Sequence, residues 1–214
     1  MFAIHASYRG RSRRRAAYVR DIVHALSQSA AVLSVDAIGV EDFVCLSDNA
    51  EHTGGLVLSL LQAGDFAIGI GVIAGAESQL NEYYDSVEEI HQHLKDAAQR
   101  TIQPSLKATH VAVRVEMPGP GAVVAPGYAS EVADDVVSAF TLLAHVLARR
   151  TKEGREATAL LRSGLSQSEA AAEVGISKQA MSQRLAAAGW QAEQAGWNLA
   201  IHMLARVEQL QSPY

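Results

Sequence analysis

The sequence predicts an α+β protein: a βαββαβ unit of ferredoxin-like order over residues 1–126, then an all-α domain over residues 127–214. Three observations carry this. Up to residue 117, short β-branched and aromatic runs alternate with segments whose apolar residues recur at helical spacing. "PGPGAVVAPGYAS", residues 118–130, then gathers three prolines and three glycines, the composition of a linker. Beyond it no segment has strand character.

The elements follow in order. "FAIHAS" reads as a strand, and "SRRRAAYVRDIVHALSQS" as a helix whose core face holds Val19, Ile22, Val23 and Leu26. "AVLSVDA" and "DFVCLS" flank "IGVE" as a hairpin. A helix with Leu56, Val57, Leu60 and Leu61 leads into "DFAIGIGVIA", a strand with Phe66, Ile68, Ile70 and Val72 on one face. One longer helix is expected through Leu80, Tyr83, Tyr84, Val87, Ile90 and Leu94, then a strand at "THVAVRVEM". Residues 130–150 read as a helix too apolar for one neighbour to cover. Helices over 153–163, 166–174, 177–187 and 191–210 complete the chain.

Composition narrows the class. With 214 residues, 49% of them hydrophobic and 19% charged, the chain can bury a sizeable core. No apolar run is long enough to span a bilayer, and the arginine-rich start lacks the apolar core of a signal peptide, so a cytoplasmic protein without membrane contact is expected. Cys45 is the single cysteine, which excludes an intrachain disulfide or a multi-cysteine metal site. Charge is uneven: residues 1–20 carry +6, 21–148 carry −13, 149–190 carry +3 and 191–214 carry −1. Two basic segments can therefore face a polyanion while the acidic middle turns away.

"SQSEAAAEVGISKQAMSQRL", residues 166–185, holds the most specific pattern. Ala170, Ala171 and Val174 make a small inner face, Gly175 permits a tight turn, Ile176 follows it, and Ser177 caps a second helix. With Met181 and Leu185 buried, about 100° per residue sends Gln179 and Gln183 away from the core, with Ser182 between them and Lys178 and Arg184 at the flanks. Amides suit base edges and cations suit phosphates. The segment resembles the helix-turn-helix of bacterial transcription regulators. The resemblance implies that residues 177–187 are a recognition helix for the major groove of double-stranded DNA, with Gln179, Ser182 and Gln183 reading bases and Lys178 and Arg184 on phosphates.

"IGVEDFVCLS", residues 38–47, sets adjacent carboxylates in a hairpin. Gly39, Val40, Glu41, Asp42 and Phe43 resemble the G-G-[DE]-E-F hairpin of nucleotide-cyclase-like and diguanylate-cyclase domains, and "FAIGIGVIA" resembles the strand that follows it there. With the helix-turn-helix, the whole chain is similar to the SatD-type bacterial proteins, which join a "GDEF"-bearing domain to such a module. The departures matter. The cyclases share two metal ions between the hairpin acid and a first-strand aspartate, whereas here His5 or Ala6 stands in the place of that aspartate. The acids are transposed, and Val40 replaces a glycine. A degenerate site without catalysis, metal or cofactor is expected.

Weaker patterns have plainer readings. "GIGVIA" matches a dinucleotide fingerprint, but its glycines fall inside a strand, where close helix packing on Gly69 and Gly71 explains them. The cations of "YRGRSRRR" stand at a helix start, where an anion would relieve them. His91 and His93 point about 200° apart on a helix and cannot share an ion.

The expected function is a sequence-specific DNA-binding transcriptional regulator, acting as a homodimer, whose first domain senses or scaffolds and is free to bind a small-molecule or nucleotide ligand. Two rivals stand beside it: a metal-dependent nucleotidyl-transfer enzyme using Glu41 and Asp42, and a protein-interaction module in which the helical hairpin is structural.

Overall fold

The computed structural model describes residues 1–74, 77–117 and 126–210. The protein is α+β. Strands β1 (Phe2–Tyr8), β2 (Ser34–Ile38), β3 (Asp42–Ser47), β4 (Phe66–Ile73) and β5 (Val111–Glu116) form one mixed sheet in the order β2-β3-β1-β4-β5. The first four strands pair antiparallel, and β5 runs parallel to β4. Among the described residues the helices are α1 (Arg15–Ser27), α2 (Ala50–Ala63), α3 (Glu77–Tyr83), α4 (Val87–Thr101), α5 (Pro126–Ala148), α6 (Lys152–Arg162), α7 (Gln167–Glu173), α8 (Lys178–Ala187) and α9 (Trp190–Gln209).

Strand alternation sorts the sheet into two faces. Phe2, Ile4, Phe43, Phe66, Ile68 and Ile70 face a core shared with α1, α2, α5 and α9. Ala3, Val44, Leu46 and Ile73 face Ile90, Leu94 and Ala98 of α4. That second layer approaches closely because β4 carries Gly69 and Gly71. A Cβ on Gly71 would run into the backbone of Ala98 and Leu94, and one on Gly69 into Thr101 and the Ala98 carbonyl. Helix packing is thus the reason for these glycines.

Two expectations change. The single helix through Leu80 and Leu94 is two, α3 and α4. Ser86 caps α4 by accepting from Glu89 N at 3.2 Å while the Glu89 carboxylate accepts from Asp85 N at 2.8 Å, and this Ser-x-x-Glu pattern starts a new helix. Helix α5 begins at Pro126 rather than 130, since proline suits a first helical turn; residues 118–125 of the expected linker lie outside the described residues. One face of α5 is covered inside the chain, while Leu142 on another face stays 61% exposed. Val132, Val136, Phe140, Leu143 and Leu147 join the sheet core together with Ala200, Leu204 and Val207 of α9. Trp197 and Ile201 of α9 cover Gly54 on α2.

Candidate nucleic-acid interface

Helices α6, α7 and α8 close around a small core of their own. Ala157, Ala170, Ala171, Met181 and Leu185 are buried, ringed by Leu160, Leu161, Leu165, Val174, Ile176 and Trp190. The alanines of α7 let α8 cross it closely, so a short unit holds a fixed angle with few large side chains.

Local sequence fixes each end. The Ser166 hydroxyl accepts from Glu169 N at 3.3 Å and the Glu169 carboxylate accepts from Ser166 N at 2.8 Å, a reciprocal cap. The same hydrogen bonds hold the Glu169 carboxyl below its ordinary pKa. The chain turns after α7 at Gly175, whose φ of 68° is open to glycine at little cost. Gly175 N donates to the Ala172 carbonyl at 3.2 Å and Ile176 N to the Ala171 carbonyl at 3.0 Å, the paired bonds of a Schellman ending. Ser177 then caps α8 by accepting from Ala180 N at 3.1 Å.

The buried Met181 and Leu185 set the rotation of α8. Lys178, Gln179, Ser182 and Gln183 are exposed, and none of these four side chains meets a hydrogen-bond or ionic partner among the described residues. Arg184 differs: its side chain is only 26% exposed and leans toward α6, 3.9 Å from Glu156. The structure therefore brings four of the five expected contact residues onto one open face and turns the fifth partly away.

The hairpin is arranged otherwise. Gly39, φ 62°, makes the turn, and Phe43 is fully buried. Glu41 pairs with Arg15 at 2.5 Å. Asp42 accepts from the Ser7 hydroxyl at 2.8 Å and from His5 Nε2 at 3.2 Å, and Arg9 Nη1 in turn donates to Ser7 at 2.6 Å. A carboxylate can only accept, so His5 carries its proton on Nε2; its Nδ1 is buried with no hydrogen-bond partner. Burial alone would raise the Asp42 carboxyl, but the hydrogen bonds from His5 and Ser7 and the positive field of Arg9 outweigh it and hold the pKa below the usual range. Both acids are neutralised by cations and donors of the same chain. Among the described residues no three His, Cys, Asp or Glu side chains gather closely enough to hold a metal ion.

Sequence reasoning missed Ser7, although strand alternation puts it on the face of His5, and it took Arg9 only as one cation of "YRGRSRRR", not as a partner of Ser7. It also missed a buried ion cluster under the helical unit. Glu193 on α9 is 1% exposed and pairs with Arg150, and with Arg162 through two bonds of 2.8 and 3.1 Å. Arg150 Nε donates further to the Ala188 carbonyl at 2.8 Å, tying the ends of α5 and α8 together. The Arg162 guanidinium also lies over the Trp190 ring, 5.8 Å from its centre.

None of the described helices is long and apolar enough to cross a membrane. No family model, curated protein or solved structure matches the chain, so the functional reading rests on the geometry of these residues.

Proposed function

We propose that the chain is a sequence-specific DNA-binding transcriptional regulator whose α7–turn–α8 unit is a helix-turn-helix and whose α8 enters the major groove. One observation carries the reading: on a helix rotated by Met181 and Leu185, the exposed face is Lys178, Gln179, Ser182 and Gln183, with every one of those polar groups left open. Gln179 and Gln183 are one turn apart and can address neighbouring base edges, while Lys178 at the helix start reaches the phosphate wall. In this reading helix α7 crosses the backbone above it.

The sheet scaffold is read as ferredoxin-like, since strands β1 to β4 stand in the order β2-β3-β1-β4 with antiparallel pairing. The hairpin and the helical unit on one chain support the SatD-type reading. Nucleotidyl transfer is disfavoured because Arg15 occupies the Glu41 carboxylate and Ser7 and His5 occupy that of Asp42, the groups that metal and triphosphate would need. A homodimer follows from the few base contacts one such unit makes, with each copy reading one half-site.

Selection of bound fragments from genomic DNA, followed by a gel-shift assay on the enriched sequence, tests the function. A shared motif bound well above bulk DNA is expected. Recovery of no motif by folded protein would remove the reading and leave the helical hairpin as a structural or protein-docking element.

A further inference from the structure

A cavity of about 520 Å³ lies between the last turns of α2 and α5 and the outer side of α6. One wall is apolar, with Leu61, Ala144 and Leu147. The other presents Arg150, Arg155 and Arg162. Arg150 and Arg162 share the single carboxylate of Glu193. The exposed Arg155 gives one guanidinium nitrogen to the Arg150 carbonyl at 2.8 Å and faces no carboxylate among the described residues. Gln62, on the α2 side, has its amide 3.3 Å from Arg162, and the hydrogen-bonding requires the amide oxygen on that side. Two guanidinium groups share one carboxylate and the third, Arg155, has none, so the wall is net positive beside a partly enclosed apolar surface.

We infer that this cavity binds a small organic oxyanion, a phosphate or carboxylate held by the free edge of Arg155 with Arg162, its apolar body lying on Leu61 and Leu147. A guanidinium fork matches either oxyanion with paired hydrogen bonds. A mostly apolar pocket of this size with a few converging polar groups is the usual form of a small-ligand site. The opposite wall selects against a bare inorganic ion. It is built from the carboxyl ends of α2 and α5, which carry partial negative charge, so the ligand's charge must stay on the α6 side and an apolar body must fill the rest.

Helix α6 supplies Ala157, Leu160 and Leu161 to the core under α8. A ligand seated on α6 thus touches the element that positions the exposed face of α8. That consequence rests on the DNA-binding reading, whereas occupancy of the cavity is measured without DNA.

Titration calorimetry of the full chain with phenyl phosphate, phenylacetate and inorganic phosphate tests the inference. At least one organic probe binds, more tightly than inorganic phosphate, and whichever of the two is preferred assigns the oxyanion. Arg155→Gln, at an exposed position, keeps the melting temperature and weakens that probe roughly tenfold, as expected when one charge-assisted hydrogen bond is removed. Ala144→Met fills the apolar wall and also removes binding. The inference is overturned if neither organic probe binds at ~10 mM, if Arg155→Gln leaves the affinity unchanged, or if inorganic phosphate binds as well as phenyl phosphate, which would reduce the site to surface attraction.

Discussion

The hairpin at residues 39–43 and the outer face of α8 both carry polar groups that stand out in the sequence, and the fold treats them in opposite ways. On the hairpin each acid is held by a cation or donor of the same chain, Glu41 by Arg15 and Asp42 by Ser7 and His5. On α8 the polar groups of Gln179, Ser182 and Gln183 are left to solvent on a helix that is rigid because its other side is buried. A polar cluster that satisfies itself adds stability and has little left for a ligand. An unsatisfied one on a fixed element adds no stability and is ready to bind. The two regions should therefore respond to mutation in opposite ways: the hairpin in stability, α8 in recognition.

The largest expected effect breaks the support beneath α8. Met181 is fully buried among alanines and Leu185, so Met181→Asp places an unpaired charge where nothing can solvate it, at a cost of about 4 kcal/mol or more. Helical circular dichroism should fall by the share of α6 to α8 while the sheet persists, and DNA binding of every kind should vanish. Full helicity with retained binding would contradict the burial of this face.

On the hairpin, Asp42→Ala removes the acceptor shared by His5, 5% exposed, and Ser7, 1% exposed. Leaving those donors unpaired costs about 1–3 kcal/mol in chemical denaturation, with no change in DNA preference. The pH dependence has a definite sign. Because the folded pKa of Asp42 lies below its ordinary value, the stabilisation is complete above the usual carboxylate range and is lost as pH falls through the folded value. The gap between wild type and Asp42→Asn should be widest near neutrality and close in acid. A gap that widens in acid would mean that Asp42 is not held as a carboxylate by His5 and Ser7.

What could be read in the chain divides along the same line. The strands were legible because period-two alternation is a local signal, and Phe66, Ile68, Ile70 and Val72 lie together on one face as expected. The helical turn was legible because each part is local: the serine caps, Gly175 and the small residues of α7. The break before α4 was also written locally, in Ser86 and Glu89, within a run that reads as one periodic helix. Long-range partners were not legible. An apolar α5 says that several surfaces must cover it but not which, and here α9, α2 and the sheet cover one face while Leu142 stays exposed. Glu193 looks like any surface acid until Arg150 and Arg162 arrive from 43 and 31 positions away. Asp42 meets Ser7 only through the register of β1 on β3.

The exposed face of α8 gives the sharper contrast. Gln179→Ala with Gln183→Ala removes no hydrogen bond made among the described residues, so stability should stay within about 0.5 kcal/mol. Discrimination between the selected site and bulk DNA should fall by about 1–3 kcal/mol for each bidentate amide–base pairing that the substitutions abolish. Competition binding against unrelated DNA measures this, and an unchanged preference would make the stripe a solvated surface.

The smallest effect separates two cations that the sequence treats alike. Lys178 is exposed at the start of α8, whereas the Arg184 side chain is 26% exposed and turned toward Glu156 at 3.9 Å. A phosphate contact displaces counterions, so removing one lowers the slope of log affinity against log salt by about 0.9. Lys178→Ala should show that decrement on specific and nonspecific DNA alike, because a point charge on a phosphate carries no sequence information. Arg184→Ala should change the slope less, since the guanidinium must first leave Glu156 to reach a phosphate and an exposed pair of this kind holds it by only about 0–1 kcal/mol. Removing the partner tests that ordering directly: Glu156→Gln should free Arg184 and steepen the slope, and should do so only while Arg184 is present. Equal decrements for Lys178→Ala and Arg184→Ala, with no response to Glu156→Gln, would mean that both cations already face the DNA and that the lean of Arg184 toward α6 has no bearing on binding.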